Sequence, residues 1–423
     1  MSVALIIFAL LMLLLSGIPV GFVLGGLGLA MLLLADMSPL MVPMALYSSF
    51  DSFILLSVPL FLLMSNILLQ GGVGKDLFNA VQTWVGHWPG GLGIATIASC
   101  TIFSAISGSS VATAATIGSV AIKEMTDRGY HRPFVLGLIA AGGTLGILIP
   151  PSIPMIVYGV ITEESIVDMF LAGVGPGLIM AGSFIVFSFV YATFGKACKP
   201  VPKASRSERR VASLRALPII MLAVIIIGGI YAGVFTPTES AAIGVTLSLI
   251  IVLALKTFSW DSFKVACIAT MKTTITIFII MAGAKVFGKA ITLYQIPQDI
   301  SMFVSMHIGS AGLFILAVCL VLLVMGFFLE SISMLLIMMP VLYPSLAPLG
   351  IDPIWFGIIF VIMIECALIT PPVGLNLFVI QAVAGGKVMD VVRGVWPFIL
   401  LMFVCLLIVY FFPIVALYLP FYL

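Results

Sequence analysis

Two clusters of oxygen-bearing side chains lie inside apolar stretches of this sequence, where polar groups are costly. The first is the serine-rich stretch SAISGSS at 104–110. The second is GFFLESIS at 326–333, which carries the acid Glu330 and two serines. Proteins bind hard cations such as Na⁺ through hydroxyl, carboxylate and carbonyl oxygens. Both clusters therefore have the chemistry of a sodium site.

A proline pair follows each cluster along the chain: Pro150-Pro151 after the first and Pro371-Pro372 after the second. Proline has no N–H and disfavours helical geometry in the residue before it, so each pair is expected to break a helix. The freed carbonyl oxygens are tolerated in a membrane only inside protein or beside a polar cavity. Broken helices in corresponding positions of two halves are typical of a transporter's binding site.

Other polar residues have competing interpretations. Serine and glycine also mediate close helix packing in membranes. Glu365 lies in the apolar run of the second proline pair, and it is open whether it faces a polar cavity, pairs with a lysine or is protonated. Lys272 and Lys289 are interpreted as anchors that extend to the membrane interface, while the role of Lys285 is left open.

The composition points to a membrane environment for these clusters. The 423-residue chain is 62% hydrophobic and 8% charged, whereas soluble proteins carry about 25% charged residues. We therefore predict an all-α polytopic membrane protein. The net charge of +2 predicts no nucleic-acid partner, and no GxxxxGK[ST], HExxH or GxSxG motif suggests an ATPase or another enzyme. Six scattered cysteines without a CxxC motif predict neither disulfides nor a metal centre.

Apolar runs divide the chain into two similar halves. About 20 apolar residues cross a bilayer, and each half contains five such runs and one stretch that fits a re-entrant helical hairpin. Because five is odd, the halves are predicted to be inverted repeats. The first repeat is 1–195, with a hairpin at 92–124 and a broken span at 133–161. The second is 216–423, with a hairpin at 308–343 and a broken span at 353–380. The other predicted spans are 2–16, 19–35, 47–69, 167–194, 216–234, 238–256, 265–287 and 391–413.

A basic linker at 196–215 separates the two repeats. The positive-inside rule places this linker in the cytoplasm, and counting spans from it places both termini outside. Residues 74–89 and 288–303 mix polar and apolar groups and are predicted to lie at the membrane interface. The charged residues of the linker are Lys196, Lys199, Lys203, Arg206, Arg209, Arg210 and Arg215, with one acid, Glu208.

Five stretches of the sequence carry a resemblance to a known family. They are SGSSVATAATIGSVAIKEM (107–125), GTLGILIPPSIPMIVYGVITEESIVDMFLAGVGPGL (143–178), GVFTPTESAAIGV (233–245), FLESISMLLIMMPVLYP (328–344) and ITPPVGLNLFV (369–379). In these stretches the sequence resembles the large membrane subunit of the tripartite ATP-independent periplasmic (TRAP) transporters. The resemblance implies Na⁺-coupled uptake of an organic acid, such as sialic acid or a C4-dicarboxylate, across a bacterial inner membrane. It also implies an elevator, in which two hairpins and two broken spans move against a scaffold.

The same resemblance implies site residues and partners. Na⁺ is the expected coupling ion, and no organic cofactor is expected. The implied partners are a periplasmic solute-binding protein and a small four-span membrane subunit, expected as a separate chain because the first span begins at residue 1. The first Na⁺ site is expected at Ser104, Ser107, Gly146, Ile149 and Pro151. The second is expected at Gly326, Glu330, Ala367, Thr370 and Pro372. Substrate contacts are expected at Ser109, Ser110 and Asn376.

Three alternative functions stay open on the sequence alone. The chain could be a Na⁺-coupled anion symporter that works without a binding protein, or a channel or uniporter built on the same repeats. It could also be a non-transporting assembly subunit of a membrane complex. Saturable accumulation driven by a gradient distinguishes the transporter from a channel, and flux through the protein distinguishes it from an assembly subunit.

Overall fold

The computed structural model describes residues 3–195 and 201–422, and in these ranges the chain consists of helices and turns without β-strands. This confirms the predicted all-α class for the described residues. Cys198, Lys196 and Lys199 lie outside them. The α-helices of these ranges are α1 (Val3–Leu15), α2 (Val20–Leu34), α3 (Met41–Phe50), α4 (Ser57–Gln70), α5 (Val73–Val85), α6 (Gly91–Ser107), α7 (Ser110–Asp127), α8 (Arg132–Leu148), α9 (Ile153–Thr162), α10 (Ile166–Phe194), α11 (Arg206–Tyr231), α12 (Pro237–Ala254), α13 (Trp260–Leu293), α14 (Ile296–Phe303), α15 (Ala311–Met325), α16 (Ser331–Leu342), α17 (Pro353–Ile369), α18 (Leu375–Ala384), α19 (Val388–Phe411) and α20 (Ile414–Tyr422).

Many of these helices suit a bilayer. Within the described ranges, 7 helical segments are long and apolar enough to cross a membrane. Helices α10, α11, α12, α13 and α19 are such segments by themselves, α8 and α9 form one together, and α4 forms the seventh with the short 3-10 turn before it, Phe53–Gln70. Helix α13 has 34 residues, which corresponds to about 50 Å at 1.5 Å per residue. The chain is therefore a multi-pass membrane protein.

Both proline pairs interrupt helices as predicted. Helix α8 ends at Leu148 and α9 begins at Ile153, while α17 ends at Ile369 and α18 begins at Leu375. The residue before each pair is extended: Ile149 has φ −91° and ψ 124°, and Thr370 has φ −84° and ψ 125°. This agrees with the steric restriction on the residue before a proline. Both Pro-Pro peptide bonds are cis.

The first predicted hairpin is formed by α6 and α7, but its turn is shorter than the serine-rich stretch suggested. Only Gly108 and Ser109 lie between the two helices. Gly108 has a φ of +59°, a left-handed conformation that suits glycine and ends α6. The Ser109 hydroxyl accepts a hydrogen bond from the Ala112 N–H at 3.4 Å and caps α7. Ser104 and Ser107 consequently lie in the last turn of α6 rather than in an open loop.

The second predicted hairpin corresponds to α15 and α16, with residues 326–330 between them. Ser331 and Ser333, predicted as part of the tip, lie in the first turn of α16. Helix α15 packs against α17, whereas α16 packs against α9, α13 and α14. The two arms of this hairpin are thus held mainly by other helices.

Helices from the two halves of the chain pack against one another in corresponding pairs. Helix α2 packs on α13 and α4 on α12, while α8 packs on α19. The second arm of each hairpin contacts the far part of the other half's broken span: α7 packs on α18, and α16 packs on α9. The α8–α19 contact brings backbones together, since a Cβ on Gly394 would collide with the Pro133 carbonyl.

Helix boundaries differ from the predictions at three places. The predicted span 47–69 is interrupted, because α3 ends at Phe50 and Ser52 is extended before a short 3-10 turn leads into α4. The predicted interfacial segment 288–303 is divided between the end of α13 and α14. The terminal helix α20 was not predicted from the apolar runs.

The predicted linker 196–215 also differs from a simple loop. Residues 196–200 lie outside the described ranges, and α11 begins at Arg206, inside the predicted linker. A capping box starts this helix, since the Glu208 N–H donates to the Ser205 hydroxyl at 3.2 Å and the Ser205 N–H donates to the Glu208 carboxylate at 2.6 Å. Local capping therefore extends the helix beyond its apolar part.

Candidate functional site

The turn of the first hairpin rests directly on the break between α8 and α9. A Cβ built on Gly108 would lie 2.7 Å from the Pro151 carbonyl oxygen. A Cβ on Gly146 would lie 2.6 Å from the Ser109 carbonyl oxygen. Both distances are too short for any residue other than glycine without a shift of the backbone. The structure thus brings together three parts of the predicted first site: the α6 terminus, Gly146 and Pro151.

Two oxygens at this junction, the Ser104 hydroxyl and the Gly146 carbonyl, lack an ordinary hydrogen-bond partner. The Ser104 hydroxyl is fully buried and has no partner, while the Ser107 hydroxyl is 2.7 Å from the Thr113 hydroxyl. The Gly146 carbonyl lies four residues before Pro150, which has no N–H to donate to it. A buried unsatisfied polar group costs about 1–3 kcal/mol. A small hard cation such as Na⁺ would satisfy these oxygens, so the donor set fits this ion.

The two breaks differ in exposure. Every residue from Ala141 to Gly159 is buried, including the first proline pair. At the second break, Thr370 and Pro371 are half-buried and Pro372 is exposed. The first junction is therefore shielded from solvent, whereas the second is partly open.

The structure assembles only part of the predicted second site. A Cβ on Gly326 would lie 3.1 Å from the Ala367 carbonyl carbon, so the start of the second tip touches the end of α17. The Thr370 N–H donates to the Ala367 carbonyl at 3.3 Å, and the Thr370 hydroxyl donates to the Cys366 carbonyl at 2.6 Å. Gly326, Ala367 and Thr370 thus lie near one another, whereas Pro372 is exposed.

Glu330 has a different environment from the other predicted ligands. Its carboxylate accepts a hydrogen bond from the Ser333 hydroxyl at 3.3 Å. Its side chain lines a cavity of about 360 Å³, which we call the tip cavity. The tip cavity is lined by Leu62, Gly108, Ser109, Ser110, Val111, Ile147, Ile153, Pro154, Lys272, Thr273, Thr276, Ile277, Glu330, Ser331, Ile332, Leu368 and Leu375.

The tip cavity has the electrostatic features of an anion site. Helix α7 begins at Ser110 and α16 begins at Ser331, and both residues line the cavity. The N-terminus of a helix has free N–H groups and a partial positive charge. Two such termini and the ammonium group of Lys272 therefore face a space large enough for a small organic anion.

Two of the three predicted substrate residues, Ser109 and Ser110, line this cavity, and the third, Asn376, is hydrogen-bonded to Ser110. The Asn376 side-chain amide donates to the Ser110 hydroxyl at 3.1 Å, which joins α18 to α7. Asn376 is fully buried, so in this structure it orients Ser110 and is not itself part of the cavity lining. Ser109 is half-buried and lines the cavity beside Ser110.

Lys272 is a cavity residue that the sequence interpretation missed. It lies within the long helix α13 and lines the tip cavity together with Thr273 and Thr276. The interpretation as an interfacial anchor relied on the flexibility of a lysine side chain. Ionisable groups deep in an apolar span often mark a functional site, but that signal does not show which cavity such a group lines.

Glu365, for which three roles were open, does not line the tip cavity. Its side chain is 1% exposed, and neither carboxylate oxygen has a hydrogen-bond partner. It lies in α17, which packs against α8, α10, α15 and α19. No lysine forms a hydrogen bond with it within the described ranges.

Comparison with protein families gives one match that spans most of the chain. Residues 6–415 match the family described as the tripartite ATP-independent periplasmic transporter, DctM component. Among curated proteins, the chain is 41% identical to a C4-dicarboxylate TRAP transporter large permease protein of Pseudomonas aeruginosa, over 89% of this chain and 88% of that protein. It is 35% identical to a sialic acid TRAP transporter large permease protein of Vibrio cholerae, over 98% and 97%. An ectoine TRAP transporter large permease protein of Halomonas elongata is 36% identical over 86% of each chain.

Solved structures with a similar fold are also transporters. The YdaH transporter of Alcanivorax borkumensis aligns with a TM-score of 0.61 and 14% identity, over 89% of this chain and 87% of that one. The MtrF efflux pump of Neisseria gonorrhoeae aligns with a TM-score of 0.58 and 13% identity, over 90% and 85%. At this level of identity the similarity concerns the fold alone.

Proposed function

Since the chain belongs to the DctM family of tripartite ATP-independent periplasmic transporters, we propose that it carries an organic anion across the bacterial inner membrane together with Na⁺. The observation that supports this proposal most directly is the contact of the first hairpin turn with the first helix break. That contact brings the Pro151 carbonyl oxygen against Gly108 and the Ser109 carbonyl oxygen against Gly146, at the end of α6 that carries the unpartnered Ser104 hydroxyl. Na⁺ bound there would be held mostly by Ser104, Ser107, Gly146, Ile149 and Pro151.

Coupling follows from the position of the ion next to the substrate cavity. The turn residues Gly108 and Ser109 contact the break on one side and line the tip cavity on the other. Na⁺ that holds the turn against the break would also fix the N-terminus of α7 in the cavity wall. Substrate affinity would then depend on bound Na⁺, and by linkage Na⁺ affinity would depend equally on bound substrate. A second Na⁺ at Gly326, Ala367 and Thr370, with Glu330 nearby, would act in the same way on α16.

The cavity favours a substrate with at least one carboxylate or sulfonate. Lys272 and the two helix N-termini attract negative charge, with Ser109 and Ser110 as hydrogen-bonding groups. Glu330 places a carboxylate in the same cavity. This acid disfavours a highly charged anion unless a cation balances it. The named substrates of the relatives include C4-dicarboxylates, sialic acid and ectoine, and we propose a small organic acid of this kind.

The architecture supports inverted repeats and an elevator as the transport mechanism. The corresponding pairs α2–α13 and α4–α12, and likewise α7–α18 and α16–α9, are those expected when two equivalent halves interlock. The hairpins and broken spans would then form the moving transport domain, and α13 would belong to the scaffold. In this case Lys272 would contact the substrate from the scaffold. It would do so only while the hairpin tips lie beside Lys272, as they do in this structure.

The family is tripartite, so the proposal includes two partners. These are a small four-span membrane subunit and a periplasmic solute-binding protein that delivers the substrate. The basic residues 203–215 would lie in the cytoplasm by the positive-inside rule, and both termini would lie in the periplasm.

The proposal is tested by transport in liposomes that contain this chain with its small subunit and its binding protein. Succinate, N-acetylneuraminate, isethionate and ectoine would be supplied outside as labelled probes. We expect one of them to accumulate above its external concentration when Na⁺ is higher outside than inside. Uptake that proceeds equally in K⁺ or choline media would contradict sodium coupling, and mere equilibration of the probe would indicate a channel.

A further inference from the structure

A second cavity lies along α13, separate from the tip cavity. It has a volume of about 520 Å³ and is bounded by α13, by the C-terminal part of α16 and by α3. We call it the lysine cavity, because Lys285 and Lys289 are its charged residues. The lysine cavity is lined by Met41, Ser48, Ile161, Ala284, Lys285, Gly288, Lys289, Thr292, Leu293, Leu336, Met339, Pro340, Tyr343 and Pro344.

The chemistry of this cavity is one-sided. Among the described residues that line it, Lys285 and Lys289 carry a charge and none is an acid. Ser48, Thr292 and Tyr343 add hydroxyl groups to the same lining. The Glu164 carboxylate accepts a hydrogen bond from the Tyr343 hydroxyl at 2.9 Å and does not itself line the cavity.

Lys285 is held in an environment that strengthens its attraction for anions. It is half-buried, and its neighbours Ala284 and Val286 on α13 are buried. The remaining wall is mostly apolar, with Met41, Leu336 and Met339. Charge interactions strengthen when water is partly excluded, so a half-buried lysine in a mostly apolar wall attracts an anion more strongly than a fully exposed one.

The lysine cavity and the tip cavity lie at the two ends of the α13–α16 contact. The first turn of α16, with Ser331, lines the tip cavity, whereas Leu336 and Met339 farther along α16 line the lysine cavity. On α13, Lys272 lines the former and Lys285 the latter. Thirteen residues of helix correspond to about 20 Å. The same two helices therefore connect both cavities, and α13 supplies a cation to each.

We propose that the lysine cavity is a second binding site for small organic carboxylates, with Lys285 and Lys289 as its cationic ligands. This inference rests on the proposed function, since it makes the cavity a site that the transported anion occupies on its path to or from the tip cavity. It differs from the tip site in one respect: none of the residues assigned to the two Na⁺ sites lines it. Carboxylate binding there is therefore independent of Na⁺.

The test uses an anionic, amine-reactive probe on the full chain with its small subunit. Pyridoxal 5′-phosphate, followed by borohydride reduction, marks accessible lysines that attract anions, and peptide mass spectrometry locates them. Lys264, which lies on the same helix and lines neither cavity, is the internal control. We expect Lys285 and Lys289 to react about tenfold more than Lys264, because a charge-assisted contact with the phosphate of the probe would concentrate the probe at this cavity.

Protection by possible ligands completes the experiment, which is run in choline medium without Na⁺. Succinate, N-acetylneuraminate or isethionate should lower the labelling of Lys285 and Lys289 but not that of Lys264. The Lys285→Gln variant should lose this protection at Lys289, and Lys285→Arg should retain it. Labelling equal to that of Lys264, or protection by phosphatidylglycerol in nanodiscs but by none of the acids, would overturn the proposal. Because Na⁺ is absent, failure of sodium coupling in the uptake assay would leave the result unaffected.

Discussion

At the scale of single residues, the site depends on oxygen atoms that the fold deprives of partners. The hydroxyl of Ser104 is buried without a hydrogen bond, and proline takes away the N–H that would otherwise bind the Gly146 carbonyl. Such oxygens lower the stability of the folded protein while the site is empty, and a bound cation restores that stability. Lys272 complements them, because it offers a positive charge on the opposite wall of the tip cavity.

Removal of the Lys272 charge tests the role of this residue. Lys272→Gln should raise the KM for the transported acid by about tenfold with a smaller effect on kcat, since a charge-assisted hydrogen bond contributes about 1.5–3 kcal/mol. Lys272→Arg should keep most of the affinity. Lys264→Gln removes the same charge from the same helix outside the cavity and should behave as the wild type. A KM for Lys272→Gln that equals the Lys264→Gln value would restore the interpretation of Lys272 as an anchor.

At the scale of elements, the proposed function depends on a short turn that packs against a helix break. Gly108 ends α6 in a left-handed conformation, and Gly146 lets α8 approach the Ser109 carbonyl. The contact is therefore sensitive to a single methyl group.

Gly146→Ala is expected to separate the turn from the break, because its Cβ would lie 2.6 Å from the Ser109 carbonyl oxygen. Sodium-driven uptake should fall by about tenfold or more, because the oxygen ligands of Na⁺ would be displaced from their binding positions. Gly182→Ala in α10 is the matched control, since its Cβ meets nothing within 4 Å. The control should retain uptake and gain up to about 1 kcal/mol in helix stability. Equal uptake by both variants would show that the close approach is not required.

The sequence predicted those elements whose cause is local. Each proline pair breaks its helix because of its own missing N–H groups, and the glycine-containing stretch 104–110 indicated the tip of the first hairpin, although not the exact turn. Boundaries set by tertiary contacts were not predictable, such as the interruption near Ser52 between α3 and α4. The same holds for the Ser110–Asn376 hydrogen bond, which joins residues 266 positions apart. Periodicity carries no information on which helices meet, so the location of Lys272 in the cavity required the structure.

At the scale of the whole molecule, two halves interlock so that each hairpin leans on the other half's broken span. Helix α13 runs along this assembly and lines both the tip cavity and the lysine cavity. If the hairpins and broken spans move as one body, they must slide past α13. Transport then depends on freedom between α13 and α7.

A reversible cross-link between α7 and α13 tests this motion. Val111 of α7 and Thr276 of α13 both line the tip cavity. In the double variant Val111→Cys with Thr276→Cys, a short bis-methanethiosulfonate should therefore join the two cysteines. We expect uptake to stop on cross-linking and to return after reduction. Each single-cysteine variant, treated identically, controls for the native cysteines. Full uptake by the cross-linked protein would contradict an elevator.

The central claim is that the first turn and the first break enclose Na⁺. It is tested most directly by the melting temperature of the purified full chain with its small subunit. The protein is titrated with NaCl or with KCl at constant ionic strength. Ligand binding stabilises the folded state by about 2.7 kcal/mol at a concentration of 100 times Kd. The account predicts a saturable increase in Tm with NaCl that KCl does not produce, and an apparent Kd for Na⁺ about tenfold weaker in Ser104→Ala, which loses one oxygen ligand. An equal response to both salts, or an unchanged Na⁺ affinity in Ser104→Ala, would contradict it.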